Sequence, residues 1–72
     1  MVNVKKLRGK MMEHGISVEE LASIMNIDRA TLYRRLERDG ESFTIKEADA
    51  ITKALNLNAD EASAIFFSQF VA

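Results

Sequence analysis

The sequence predicts an all-α fold, a compact array of five short helices, on three observations. Helix-start signatures recur along the chain. Residues that tolerate a left-handed backbone stand where most of the helices would stop. No stretch sustains the apolar–polar alternation of a strand. The 72 residues make room for one domain, 1–72, without linker or repeat. Its core is small, because a domain of about 60 residues buries only about 60% of its unfolded surface.

The starts are read from their caps. Asn3 can cap a first helix, with Val2 facing Leu7. Ser17-Val18-Glu19-Glu20 is a capping box, in which the Ser hydroxyl accepts from the fourth residue's amide and the Glu carboxylate reaches back. Ile16 and Leu21 flank it as a hydrophobic staple. Asp28 is an N-cap with Ile27 and Leu32 as its staple. Thr44-Ile45-Lys46-Glu47 repeats the box, and Asn58-Ala59-Asp60-Glu61 is a variant with Asn as the cap. The stops are Gly15, Asn26, Gly40 and Asn56. Helices are expected at 4–14, 18–25, 29–38, 45–55 and 59–70.

Helical spacing then nominates a core. It comprises Val4, Leu7 and Met11; Leu21, Ala22 and Met25, flanked by Ile24; Ile27, Leu32 and Leu36; Ala48, Ile51 and Leu55; and Leu57, Ala62, Phe66 and Phe70. Met12 is read with Met11, Met25 and Ile24 as core filler.

Composition closes off several classes of function. There is no Cys and a single histidine, His14, so disulfides, thiolate metal sites and multi-histidine sites are excluded. His14, beside Gly15 at a helix end, has a structural reading. No nucleophile–base pair, metal set or phosphate loop is visible; the chain is read as no enzyme, without cofactor or small-molecule substrate. No segment has the ~18 apolar residues of a membrane span, nor does the N-terminus read as a signal peptide. A cytoplasmic protein is expected. The net charge of -1 is not that of a strongly basic nucleic-acid binder, but it is unevenly distributed. Residues 1–12 carry four cations and no acid, residues 29–38 four arginines against Glu37, and residues 41–72 are acidic.

Chemistry concentrates where only Asn26-Ile27-Asp28 separates the second and third helices. So tight a turn makes two short helices cross steeply, a helix-turn-helix arrangement with Ile27 at the corner and small Ala22 at the approach. The third helix offers Arg29 and Ala30 in its first turn and Tyr33 and Arg34 one turn later. An exposed helix start of this kind fits the DNA major groove, where Arg can grip guanine O6 and N7.

The run from Ser17 to Leu32 resembles the helix-turn-helix of the lambda-repressor-like family, which includes the phage Cro and CI proteins, and the five-helix pattern extends the resemblance over nearly the whole chain. The resemblance implies base contacts from Arg29, Ala30, Tyr33 and Arg34. It implies phosphate contacts from Ser17, Val18, Ser42, Thr44 and Lys46. It is most like the small regulators of temperate-phage switches, either Cro itself or modulators of the phage repressor. Two departures stand out: Val18 replaces a frequent Gln, and Asn26 replaces the turn Gly. Arg35 and Leu36 also look shifted by one residue from the family's pattern.

Bland readings compete at each position. The four arginines of 29–38 could form a solvated face, and Tyr33 could pack against its neighbours. The last helix is harder to absorb. Ile65, Phe66, Phe67, Phe70 and Val71 spread around more of it than one small core accommodates, so part of this set is expected at a protein interface. Two functions follow. One is a regulator that binds double-stranded operator DNA, as a homodimer where the operator is palindromic. The other is an antirepressor that acts by pairing with a partner phage repressor.

Overall fold

The computed structural model describes residues 2–38 and 43–68. Among these, the chain forms α1 (Val4–Glu13), α2 (Val18–Met25), α3 (Arg29–Glu37), α4 (Ile45–Ala54) and α5 (Ala59–Phe66), with no strand. α2 has the expected bounds; α1, α3 and α4 each end one residue before the expected position, and α5, expected to reach 70, stops at Phe66. Phe67 has already left helical geometry at φ −127°. Gly40, the expected stop of α3, lies outside the described residues, as do Ser42, Phe70 and Val71.

One local device turns three corners. Gly15, Asn26 and Asn56 take positive φ of 66°, 60° and 50°. Each is followed by an apolar residue and then by an N-cap: Ile16-Ser17, Ile27-Asp28 and Leu57-Asn58. The apolar residue's N–H reaches back five positions, from Ile16 to Met11 O (2.9 Å), Ile27 to Ala22 O (3.0 Å) and Leu57 to Thr52 O (3.0 Å). This Schellman closure satisfies carbonyls that the helix end would orphan. The same apolar side chain, half-buried against the core, sits just before the next helix and opposite an apolar residue in its second turn. Stop, corner and start are thus compressed into three residues.

Four of the five caps are hydrogen-bonded. Ser17, Thr44 and Asn58 complete reciprocal capping boxes with Glu20, Glu47 and Glu61, and Asn3 Oδ1 accepts from the Lys6 N–H at 3.1 Å. Asp28 holds the cap position of α3 but makes no side-chain cap bond, contrary to the sequence reading. Thr31 stands at the position where a box needs Glu or Gln, so no reciprocal partner fixes the carboxylate.

Each helix gives the core one fully buried side chain: Leu7, Leu21, Leu32, Ile51 and Ile65, joined by Leu55 at the end of α4. α2 lies at the centre, packed on α3 and α4, while α1 packs on α5. Asn3 N–H donates to Ile65 O at 2.7 Å, which fastens the start of α1 to α5. Several expectations are corrected by burial. Met12 and Ile24 are exposed, whereas Val2, Val18 and Ile65 join the core. Ile27 is half-buried, not enclosed.

Two of the capping glutamates do a second task. Glu47 Oε1 accepts from the Thr44 N–H (2.9 Å), and its Oε2 meets Arg35 Nη1 at 2.6 Å, which ties α3 to α4. Glu61 Oε1 accepts from the Asn58 N–H (3.0 Å), and its Oε2 pairs with Lys10 of α1. Burial by itself pushes the Glu47 carboxyl up. The hydrogen bonds from Arg35 and from the Thr44 backbone, with the Arg35 charge, outweigh that and hold it below the ordinary carboxylate range. The Glu61 carboxyl is lowered by its hydrogen bond from Lys10 and then by that from Asn58.

A depressed folded value stabilises the fold above the unfolded carboxylate's pKa, and that contribution disappears as pH falls through the folded value. Glu47→Gln keeps an amide that can still cap but loses the charge pair. It should cost about 1–3 kcal/mol at neutral pH, the price of leaving a partly buried charge without its partner. The difference from wild type should shrink as pH drops below about 4.3. Thermal melts at neutral and acid pH check this. A constant difference would show that the charge pair is not what Glu47 contributes.

Candidate nucleic-acid interface

The α2–α3 unit carries the candidate site. α2 ends on Asn26 in the left-handed conformation (φ 60°, ψ 43°), and its N–H and that of Ile27 close the helix onto Ser23 O and Ala22 O. Three residues, Asn26-Ile27-Asp28, separate α2 from α3. At about 100° per residue, Arg29, Tyr33, Ala30 and Arg34 fall within one arc of about 140°, and Leu32 and Leu36 form a separate stripe that adjoins its Arg29 edge. The burial agrees. All four candidate base readers are exposed, and both leucines are buried. Ala30 places no bulk at the helix start. Tyr33 has 43% of its surface exposed, so its ring is not enclosed by the core. Arg34 Nη2 reaches Thr31 Oγ1 at 3.5 Å, a long contact that leaves its other donors available.

Arg35 does not belong to this face. It points to the far flank of α3, where it meets Glu47 and stands 5.9 Å from the centroid of the Phe43 ring. Phe43 in turn packs edge-on against Phe66, with centroids 6.4 Å apart and planes at 77°. The arginine run therefore divides. Arg29 and Arg34 face outward, whereas Arg35 locks the recognition helix to the rest of the domain. The only sequence signal for that role was the angular position of Arg35 relative to Arg34.

The candidate phosphate contacts are spread over two helix starts. Ser17 Oγ accepts from the Glu20 N–H (3.0 Å) and Thr44 Oγ1 from the Glu47 N–H (3.0 Å), so each hydroxyl keeps its own hydrogen to donate. Lys46 is exposed in the first turn of α4. Val18 differs from the expectation: its side chain is buried in the core, so only its backbone amide, at the start of α2, is left for an anion. Ser42 lies outside the described residues.

A family model for the Cro/C1-type helix-turn-helix DNA-binding domain matches residues 6–62, well over half of the chain. The chain belongs to that family. No significant match to a curated protein or to a solved structure accompanies it. The match starts within α1 and continues into α5, so it takes in the whole α2–α3 unit. As a Cro/C1-type domain the chain is a DNA-binding regulator. Among the described residues, no helix is long and apolar enough to cross a membrane.

The nominated protein-contact set is divided by the structure. Ile65 and Phe66 lie in the core, at 1% and 9% exposure, because α5 turns that side toward α1 and Phe43. Ile65 is thus not an outward-facing residue. Phe67, just past the end of α5, is 55% exposed. Ile45, which the sequence reading did not single out, is 87% exposed beside the Thr44 cap. The two border an apolar groove lined by Phe43, Ala48, Thr52 and Phe66.

Proposed function

We propose that the chain is a sequence-specific transcription regulator that lays α3 in the major groove of operator DNA. The observation that carries this reading is the division of α3: Arg29, Ala30, Tyr33 and Arg34 exposed along one arc, Leu32 and Leu36 buried along the adjoining stripe. Arg29 and Arg34 would each present a guanidinium fork to guanine. Ala30 would allow close approach or touch a thymine methyl, and Tyr33 would pack along the groove. Ser17, Thr44, Lys46, the Val18 amide and Ser42 would fix the register through phosphates. Selection from a random duplex pool, followed by shift assays over a range of salt, tests this. The expected result is a defined half-site whose affinity falls with salt less steeply than for a strongly basic binder. A pool that remains random after selection contradicts it.

The domain is further proposed to bind as a homodimer through the Ile45–Phe67 groove. The groove holds about 270 Å³, at the low edge of the ~300–1,000 Å³ of small-molecule sites. It suits one or two side chains from a neighbouring copy. Thr44, one of the candidate phosphate contacts, lines it as well. A two-fold pair would set its recognition helices about one helical turn apart, roughly 34 Å, as a palindromic operator requires. Ile45→Ser with Phe67→Ser should turn a dimer into a monomer in sedimentation and leave the helical circular dichroism intact. The antirepressor reading draws on the same exposed pair. It predicts a monomer alone that pairs with a repressor. An unchanged species in both settings leaves the groove without either role.

A further inference from the structure

Most of the ion pairs in the fold have structural or local roles. Glu47–Arg35 and Glu61–Lys10 join helices, and Asp49–Lys53 and Glu13–Lys10 run along one helix. Glu19–Arg29 is different. It spans the helix-turn-helix from the first turn of α2 to the first residue of α3 and falls on the face assigned to DNA. Glu19 is not needed for the cap, which Glu20 completes. Its Oε2 lies 3.6 Å from Arg29 Nη1, and both side chains are well exposed, at 74% and 64%. That distance exceeds a direct hydrogen bond. The two groups are within ion-pair range with no hydrogen bond fixing their geometry.

In water such a pair contributes little. Against DNA the balance changes, because bound DNA displaces solvent from the pair and brings phosphates close to the carboxylate. A phosphate that takes Arg29 must also accept Glu19 nearby, two negative charges around one guanidinium. A guanine edge carries two acceptors and no formal charge, and the free edge of the fork can bind it while Glu19 remains paired. The carboxylate therefore penalises phosphate contacts more than guanine contacts.

We propose that Glu19 is a specificity-determining residue that withholds Arg29 from phosphates and reserves it for a guanine edge. This rests on the DNA-binding reading above. Glu19→Gln is nearly isosteric and exposed, so the fold should be unaffected. Its affinity for a scrambled duplex should rise about twofold to fivefold, the weight of one exposed charge pair. Its affinity for the selected site should change less, so discrimination falls. The log–log salt slope on scrambled DNA should steepen by about one, as Arg29 gains a phosphate.

The double mutant Glu19→Gln, Arg29→Ala should show none of this gain relative to Arg29→Ala alone. An equal gain in both backgrounds, or unchanged discrimination by Glu19→Gln in a chain whose wild type selects a sequence, overturns the role of Glu19 and leaves the DNA reading standing. A wild type without sequence preference overturns both.

Discussion

Leu32→Ala is expected to cost about 2–5 kcal/mol, as for other fully buried leucines. Leu32 has no exposed surface. It lies in the second turn of α3, opposite Ile27, at the point where the recognition helix is attached to α2. Domains of this kind have roughly 5–15 kcal/mol of stability in total. With about 4–8 °C of thermal midpoint per kcal/mol at this size, the variant should melt at least ~8 °C lower. Ile27→Ala is expected to cost roughly half as much, because that side chain is only half-buried. Thermal melts followed by circular dichroism check both. A Leu32 variant that melts within a degree or two of wild type would mean that α3 is not seated as described.

The second large effect is on binding. Arg29→Ala with Arg34→Ala should remove about 2–6 kcal/mol of discrimination, at roughly 1–3 kcal/mol for each lost guanine contact if the two add. Binding to the selected site should then approach that to a scrambled duplex, with the melt unchanged because both side chains are exposed. Arg35→Ala is the contrast. It should lower the melting temperature through loss of the Glu47 and Phe43 contacts and leave discrimination per folded molecule intact. If the Arg35 variant loses base preference while the double variant keeps it, the faces of α3 have been assigned the wrong way round.

The helices were legible because their ends are encoded locally. Ser17, Thr44 and Asn58 with their glutamates, and Gly15, Asn26 and Asn56 at the stops, are decided by residues within a few positions of one another. What depends on how helices meet was not legible. Val18 and Ile65 are buried by neighbours far along the chain, and periodicity within one short helix does not show which flank those neighbours cover. Arg35 read as one of four similar arginines until Glu47 and Phe43 were placed beside it. The Glu19–Arg29 pair spans the turn between α2 and α3, so it too depends on how the two helices meet. Arg29, Ala30, Tyr33 and Arg34 were nominated together through the resemblance to the lambda-repressor-like family, because spacing alone sets Arg29 close in angle to the buried Leu36.

Backbone amide NMR shifts during titration with the selected duplex test the central claim most directly. The account predicts that the largest changes fall on residues 29–34 and the first turn of α2, with smaller ones near Thr44 and Lys46, and that the amides around Leu7 and on the outer face of α1 stay in place. Changes concentrated on α1 or α5, with α3 undisturbed, would contradict it.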